Sequence, residues 1–103
     1  MEAKEKLLRK CGFLQNTYEE GQFWELVVDD DDERKRRICE AFGTDKELGV
    51  SGDDIDTLIL QCDATLGNCV FYYDLNLFYM SPYEFIRCLE KLSEVESSIA
   101  QVR

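Results

Sequence analysis

SGDDIDTLILQCDATL, residues 51–66, is the stretch on which the fold turns. Ser51 and Asp54 have the Ser-x-x-acid spacing of a capping box, in which each residue's side chain bonds the other's backbone N–H at a helix start. Behind it Ile55, Leu58, Ile59, Cys62 and Leu66 recur at i, i+3, i+4, i+7 and i+11, one stripe of a 3.6-residue period. Asp56 and Asp63 fall off that stripe, and Gly67-Asn68 ends it. The pattern predicts an amphipathic helix over 55–66.

Working outward, three further segments read as helices. Residues 2–11 are good helix formers with Leu7, Leu8 and Cys11 on one side. Asp29 to Asp32 supply cap and first-turn acids, and Arg34 to Arg37 follow one turn later, an order that suits a helix dipole. Ile38, Ala41 and Phe42 give that helix an inner face and Gly43 a stop. Ser81-Pro82-Tyr83-Glu84 combines a capping box with proline at the first helical position. After it Phe85, Cys88, Leu92, Val95, Ile99 and Val102 alternate spacings of three and four, with Leu89 widening the stripe. This heptad-like seam is longer than a small core needs. Its last turns either pack on a second copy, giving a homodimer through the C-terminal helix, or fray beyond Glu96.

Two segments are not helical in pattern. Phe71, Tyr73, Leu75, Leu77 and Tyr79 alternate with positions that include Asp74 and Asn76, a period of two. Phe23 to Val28 is short and rich in β-formers, and a lone strand needs a partner. The expectation is a mainly α protein, a small bundle of three or four helices. A minor two-stranded β ribbon joins Phe23–Val28 to Val70–Tyr79, or else 69–80 is an aromatic loop.

At 103 residues, with 45% hydrophobic and 12% aromatic content, the chain has globular composition and room for one domain, residues 1–103. Its net charge of −10 repels phosphate backbones and anionic lipid, which argues against direct nucleic-acid or membrane binding. A basic protein partner is the natural complement. Between Lys46 and Arg87 there is no basic residue, whereas Glu47, Asp53, Asp54, Asp56, Asp63, Asp74 and Glu84 all fall there. No run is apolar enough to span a membrane. The five cysteines, with a charged N-terminus that does not read as a secretory leader, suggest reduced thiols in a cytoplasmic protein.

Catalytic and metal chemistry is thin. With no histidine, the usual general base, the Ser-His and Cys-His pairs and every His-containing zinc site are absent. Cys62 and Cys69 are the nearest thiols and lack a second pair. Asp29 to Glu40 has acids at the first, third, fifth and twelfth places of a calcium loop, but Arg34 stands where glycine is required. Gly49-x-x-Gly52 lacks a phosphate-loop lysine. The expectations are no catalytic residue, no metal and no cofactor.

One family resemblance stands beside this reading. Glu47-Leu-Gly-Val-Ser-Gly-Asp-Asp54, followed by an acidic amphipathic segment, resembles the acyl-carrier-protein pattern of an acid, Leu-Gly, then Asp-Ser-Leu-Asp opening the second helix. Leu48-Gly49 and Asp54 match. It is similar also to short bacterial carrier-like proteins with a Leu-Gly-x-x-Gly-Asp-Asp string. The resemblance covers roughly residues 30–96 and implies the helical fold. It departs at the serine that would carry phosphopantetheine, whose position holds Gly52, with Ser51 one residue early.

Three functional expectations follow. The first is a non-catalytic acidic module docking on a basic partner, as inhibitors and toxin-neutralising immunity proteins do, with Asp53, Asp54, Asp56 and Asp63 making charged contacts and Tyr72 or Tyr83 as anchors. The second is a carrier-like domain modified at Ser51. The third is a self-associating module joined through the C-terminal seam.

Overall fold

The structure, a computed structural model, describes the backbone of residues 2–102 and the side chains of residues 3–98. Its elements are α1 (Glu2–Lys10), β1 (Leu14–Tyr18), β2 (Gly21–Val28), α2 (Asp32–Phe42), α3 (Thr44–Glu47), a 3₁₀ turn (Gly52–Asp54), β3 (Leu58–Asp63), β4 (Cys69–Tyr73), β5 (Asn76–Met80) and α4 (Pro82–Val102). The strands form one antiparallel sheet in the order β1-β2-β3-β4-β5. The helices cover one face of it. This is an α+β fold, and it overturns the expectation of a mainly α helical bundle.

The correction centres on residues 55–66. The capping box is real: Asp53 N–H donates to Ser51 Oγ at 3.2 Å and Ser51 N–H to Asp54 Oδ2 at 3.4 Å. It caps a single 3₁₀ turn, after which Ile55 is extended. Leu58, Leu60 and Cys62 then alternate with Ile59, Gln61 and Asp63, the first set buried and the second half-buried. A short apolar run satisfies both periods, and the sheet decides between them because β3 is the central strand, paired on both sides. Residues 69–80, read as one strand, are two, turned at Asp74-Leu75 with Asp74 at φ 52°. β2 pairs with β3, Leu26 opposite Leu60 and Val28 opposite Leu58, rather than with Val70–Tyr79.

The three long helices form as their sequences indicate. Asp31 caps α2 by accepting from Arg34 N–H, and Gly43, at φ 73°, closes it in the left-handed region. Glu84 N–H donates to Ser81 Oγ at the start of α4. The core lies between sheet and helices. Trp24, Leu26, Leu58, Leu60 and Phe71 meet Leu8, Ile38, Phe42, Phe85, Leu89 and Leu92 there, each such side chain contributing about 1.5–3 kcal/mol of burial. Arg9 sits 5.0 Å over the Trp24 ring, and Phe42 packs 5.6 Å from Phe71 and 5.8 Å from Phe85. The C-terminal seam is thus largely spent inside the chain's own core. Val95 is exposed, and the side chains of Ile99 and Val102 lie outside the described residues.

Candidate functional site

The strands set up two ends and an open face. At one end β2 finishes, α2 begins, the 3₁₀ turn leads into β3, and the β4–β5 turn folds over. Asp29 to Glu33, Asp53, Asp54, Asp56 and Asp74 all fall at this end. What brings the first two acidic segments together is Lys35. Its side chain is 3% exposed, and its ammonium donates to the backbone carbonyls of Asp29 (3.1 Å), Ile55 (2.6 Å) and Asp56 (3.2 Å). It also pairs with Asp32 at 3.1 Å. A buried cation with a full set of acceptors is a staple between the β2–α2 and 3₁₀–β3 connections. Asp74 adds a second tie, accepting the backbone N–H groups of Asp56 and Thr57 at 3.1 Å each.

Cations at this end are largely committed to partners. Arg36 pairs with Asp53 at 3.1 Å and Arg37 with Glu33 at 3.9 Å. Asp29, Asp30, Asp54 and Asp56 are exposed and take part in no ion pair among the described residues. The end therefore carries net negative charge into solvent.

The sheet face away from the helices begins at this end. Val27, Ile59, Tyr72 and Leu77 are cross-strand neighbours in one row. Val27 and Leu77 are exposed, and Ile59 and Tyr72 are half-buried. The next row holds Leu14, Glu25, Gln61, Val70 and Tyr79. Glu25 accepts from Asn16, Tyr18 and Gln61, so its carboxylate is satisfied locally; the bond from Tyr18 also raises that hydroxyl's pKa.

Of the six residues singled out in the sequence, Asp53, Asp54 and Asp56 share the acidic end, with Tyr72 one step away on the open face. Asp63 and Tyr83 lie at the opposite end, where β3 finishes and α4 starts. Asp63 is occupied by its own loop. It accepts from Thr65 N–H and Oγ1, Gly67 N–H and Asn68 Nδ2 at 2.7–3.3 Å. Partial burial acts to raise its pKa, and these bonds outweigh it and hold the carboxyl below its ordinary value. Tyr83 is exposed and isolated from the acids. Sequence reasoning missed Lys35 as the organiser and Val27 and Ile59 as neighbours of Tyr72. The signal for the pair was the alternation within 23–28 and 58–63.

The position matching the carrier-protein serine is closed. Gly52 is buried, and a Cβ built there would overlap the Lys35 carbonyl carbon and the Arg36 backbone nitrogen. The segment that the resemblance places on a helix contains β3. Ser51 Oγ is engaged as a cap.

The thiols are ordinary core groups in their electrostatics. Burial pushes Cys11 up to about 11 and raises Cys39 and Cys88. Cys62, hydrogen-bonded to Cys69 and buried, is raised further. Among the described residues no group of three His, Cys, Asp or Glu side chains is arranged to hold a metal, and no helix is long and apolar enough to cross a membrane.

No family model matches this chain, and neither a curated protein nor a solved structure does. The functional reading rests on the chain's own surface.

Proposed function

We propose that this protein is a non-catalytic binding module that docks on a basic protein partner through its acidic end and the apolar row beside it. The observation that carries this reading is the Lys35 staple, which gathers two acidic segments distant in sequence next to Val27, Ile59 and Tyr72. An aromatic and aliphatic centre with a charged rim has the composition of a protein interface. The rim acids act at range, raising the encounter rate with a cationic surface and screened beyond about 8 Å at physiological salt. The apolar row then supplies short-range affinity. Asp53, Asp54 and Asp56 are the charged contacts and Tyr72 the anchor.

The test is capture from native lysate by the wild type and by two variants. The wild type retains a stoichiometric basic protein at low salt and releases it at moderate salt. Asp53→Asn/Asp54→Asn/Asp56→Asn, which keeps the capping oxygens, loses that protein, and Tyr72→Ala weakens its retention. Equal retention by the triple variant would sink the reading.

A further inference from the structure

The two edges of the sheet are built differently. β1 is Leu14-Gln-Asn-Thr-Tyr18, polar at its centre and followed by Glu19 and Glu20. β5 is Asn76-Leu-Phe-Tyr-Met80, and no charged residue occurs from Leu75 to Tyr83. Natural edge strands are kept from pairing with other chains by charges, proline within the strand or bulges. β5 has none of these, pairs only with β4, and exposes Leu77 at 50% and Tyr79 at 71%. On its helix side it borders a cleft of about 450 Å³ between the α2–α3 corner and α4, with Phe78 and Met80 in the wall. The charged residues lining that cleft are Glu40, Glu47 and Glu84 against Lys46, Arg87 and Lys91. In a chain of net charge −10, this is a neutral surface of mixed sign. The three cations form no ion pair among the described residues.

We infer that β5 is a homodimer interface, at which two copies pair their β5 strands antiparallel about a two-fold axis normal to the sheet. The two sheets become continuous, with helices on the same face. In a pairing centred on Phe78, Leu77 stands opposite Tyr79 of the partner subunit on the open face. The two Phe78 side chains meet over the cleft side. A two-fold axis sets the mixed rim against its own copy, so that acids of one meet cations of the other. Elsewhere on the surface two such acidic bodies repel. This goes beyond partner docking and needs no second protein.

Sedimentation equilibrium of the full chain over a concentration series tests it. The wild type moves from the chain mass toward twice that mass as concentration rises. Tyr79→Lys places like charges near the axis and raises the dissociation constant by about tenfold or more. Its circular dichroism stays that of the wild type because the side chain is exposed. Arg87→Glu/Lys91→Glu, which turns the rim acidic, weakens the dimer likewise. Both variants leave Asp53, Asp54, Asp56 and Tyr72 in place, so failure here is separable from failure of partner docking. A monomer at every concentration would overturn the inference. A dimer indifferent to both variants and dissociated by truncation after Glu96 would also overturn it, placing the contact on α4.

Discussion

Replacing Lys35 by methionine removes the ammonium and keeps most of the stem that fills its site. The carbonyl of Ile55 loses a buried bond of 2.6 Å, and leaving it unpaired costs about 1–3 kcal/mol. The carbonyls of Asp29 and Asp56 are partly open, so water takes over and each loss is about 0.5 kcal/mol. Asp32 is 68% exposed, which holds that ion pair under about 1 kcal/mol. Against these stands the relief of no longer taking a charge out of water. The net expectation is a loss of about 2 kcal/mol, or roughly 8–16 °C in Tm for a domain of this size. Trp24, the single tryptophan and 1% exposed, reports the transition in thermal and urea melts. Amide exchange should quicken together in residues 29–32 and 55–57, because one group ties both. Lys35→Met with wild-type stability and unchanged exchange would refute the staple.

Gly52→Ser forces a side chain into the α2 backbone and should lower stability by about 3 kcal/mol or more, read by urea melts. Exposure to a phosphopantetheinyl transferase should leave the intact mass of the wild type unchanged, since Ser51 Oγ serves as a cap. The lowered pKa of Asp63 stabilises the fold above the unfolded value near 3.8, and this contribution fades as pH falls through the lower folded value. Asp63→Asn should accordingly match the wild type in strong acid and fall below it by neutral pH, as melts across that range would show. Cys88, half-buried while the other four thiols are buried, should react first with a thiol reagent in the native state. Simultaneous labelling of all five would contradict the core.

The helix boundaries were legible because their signals are local. Asp31 and Gly43 close α2, and Ser81-Pro82 opens α4, through bonds within a few residues. The sheet was not legible in the same way. Ile55, Leu58, Ile59 and Cys62 fit a helical stripe while Leu58, Leu60 and Cys62 fit a strand, and only pairing with β2 and β4 separates the two. β1 escaped notice because an edge strand of Gln-Asn-Thr shows no apolar alternation. The acids of the candidate site were visible as charges, yet their grouping depends on a lysine whose burial no charge count reveals. Asp63 looked like its neighbours in sequence and is instead consumed by its own turn.

The order of strands along the sheet follows the order along the chain, and this shapes how the protein folds. The β1–β2, β3–β4 and β4–β5 pairs are each closed by a short turn, so those contacts cost little chain entropy and can form early. Joining β2 to β3 alone requires closing the long 29–57 connection. That connection carries α2 and the 3₁₀ turn, and Lys35 on α2 bonds carbonyls near both of its ends. Closure of this one loop is thus the step that sets the folding rate, and the lysine that shapes the surface also fastens the last seam of the sheet.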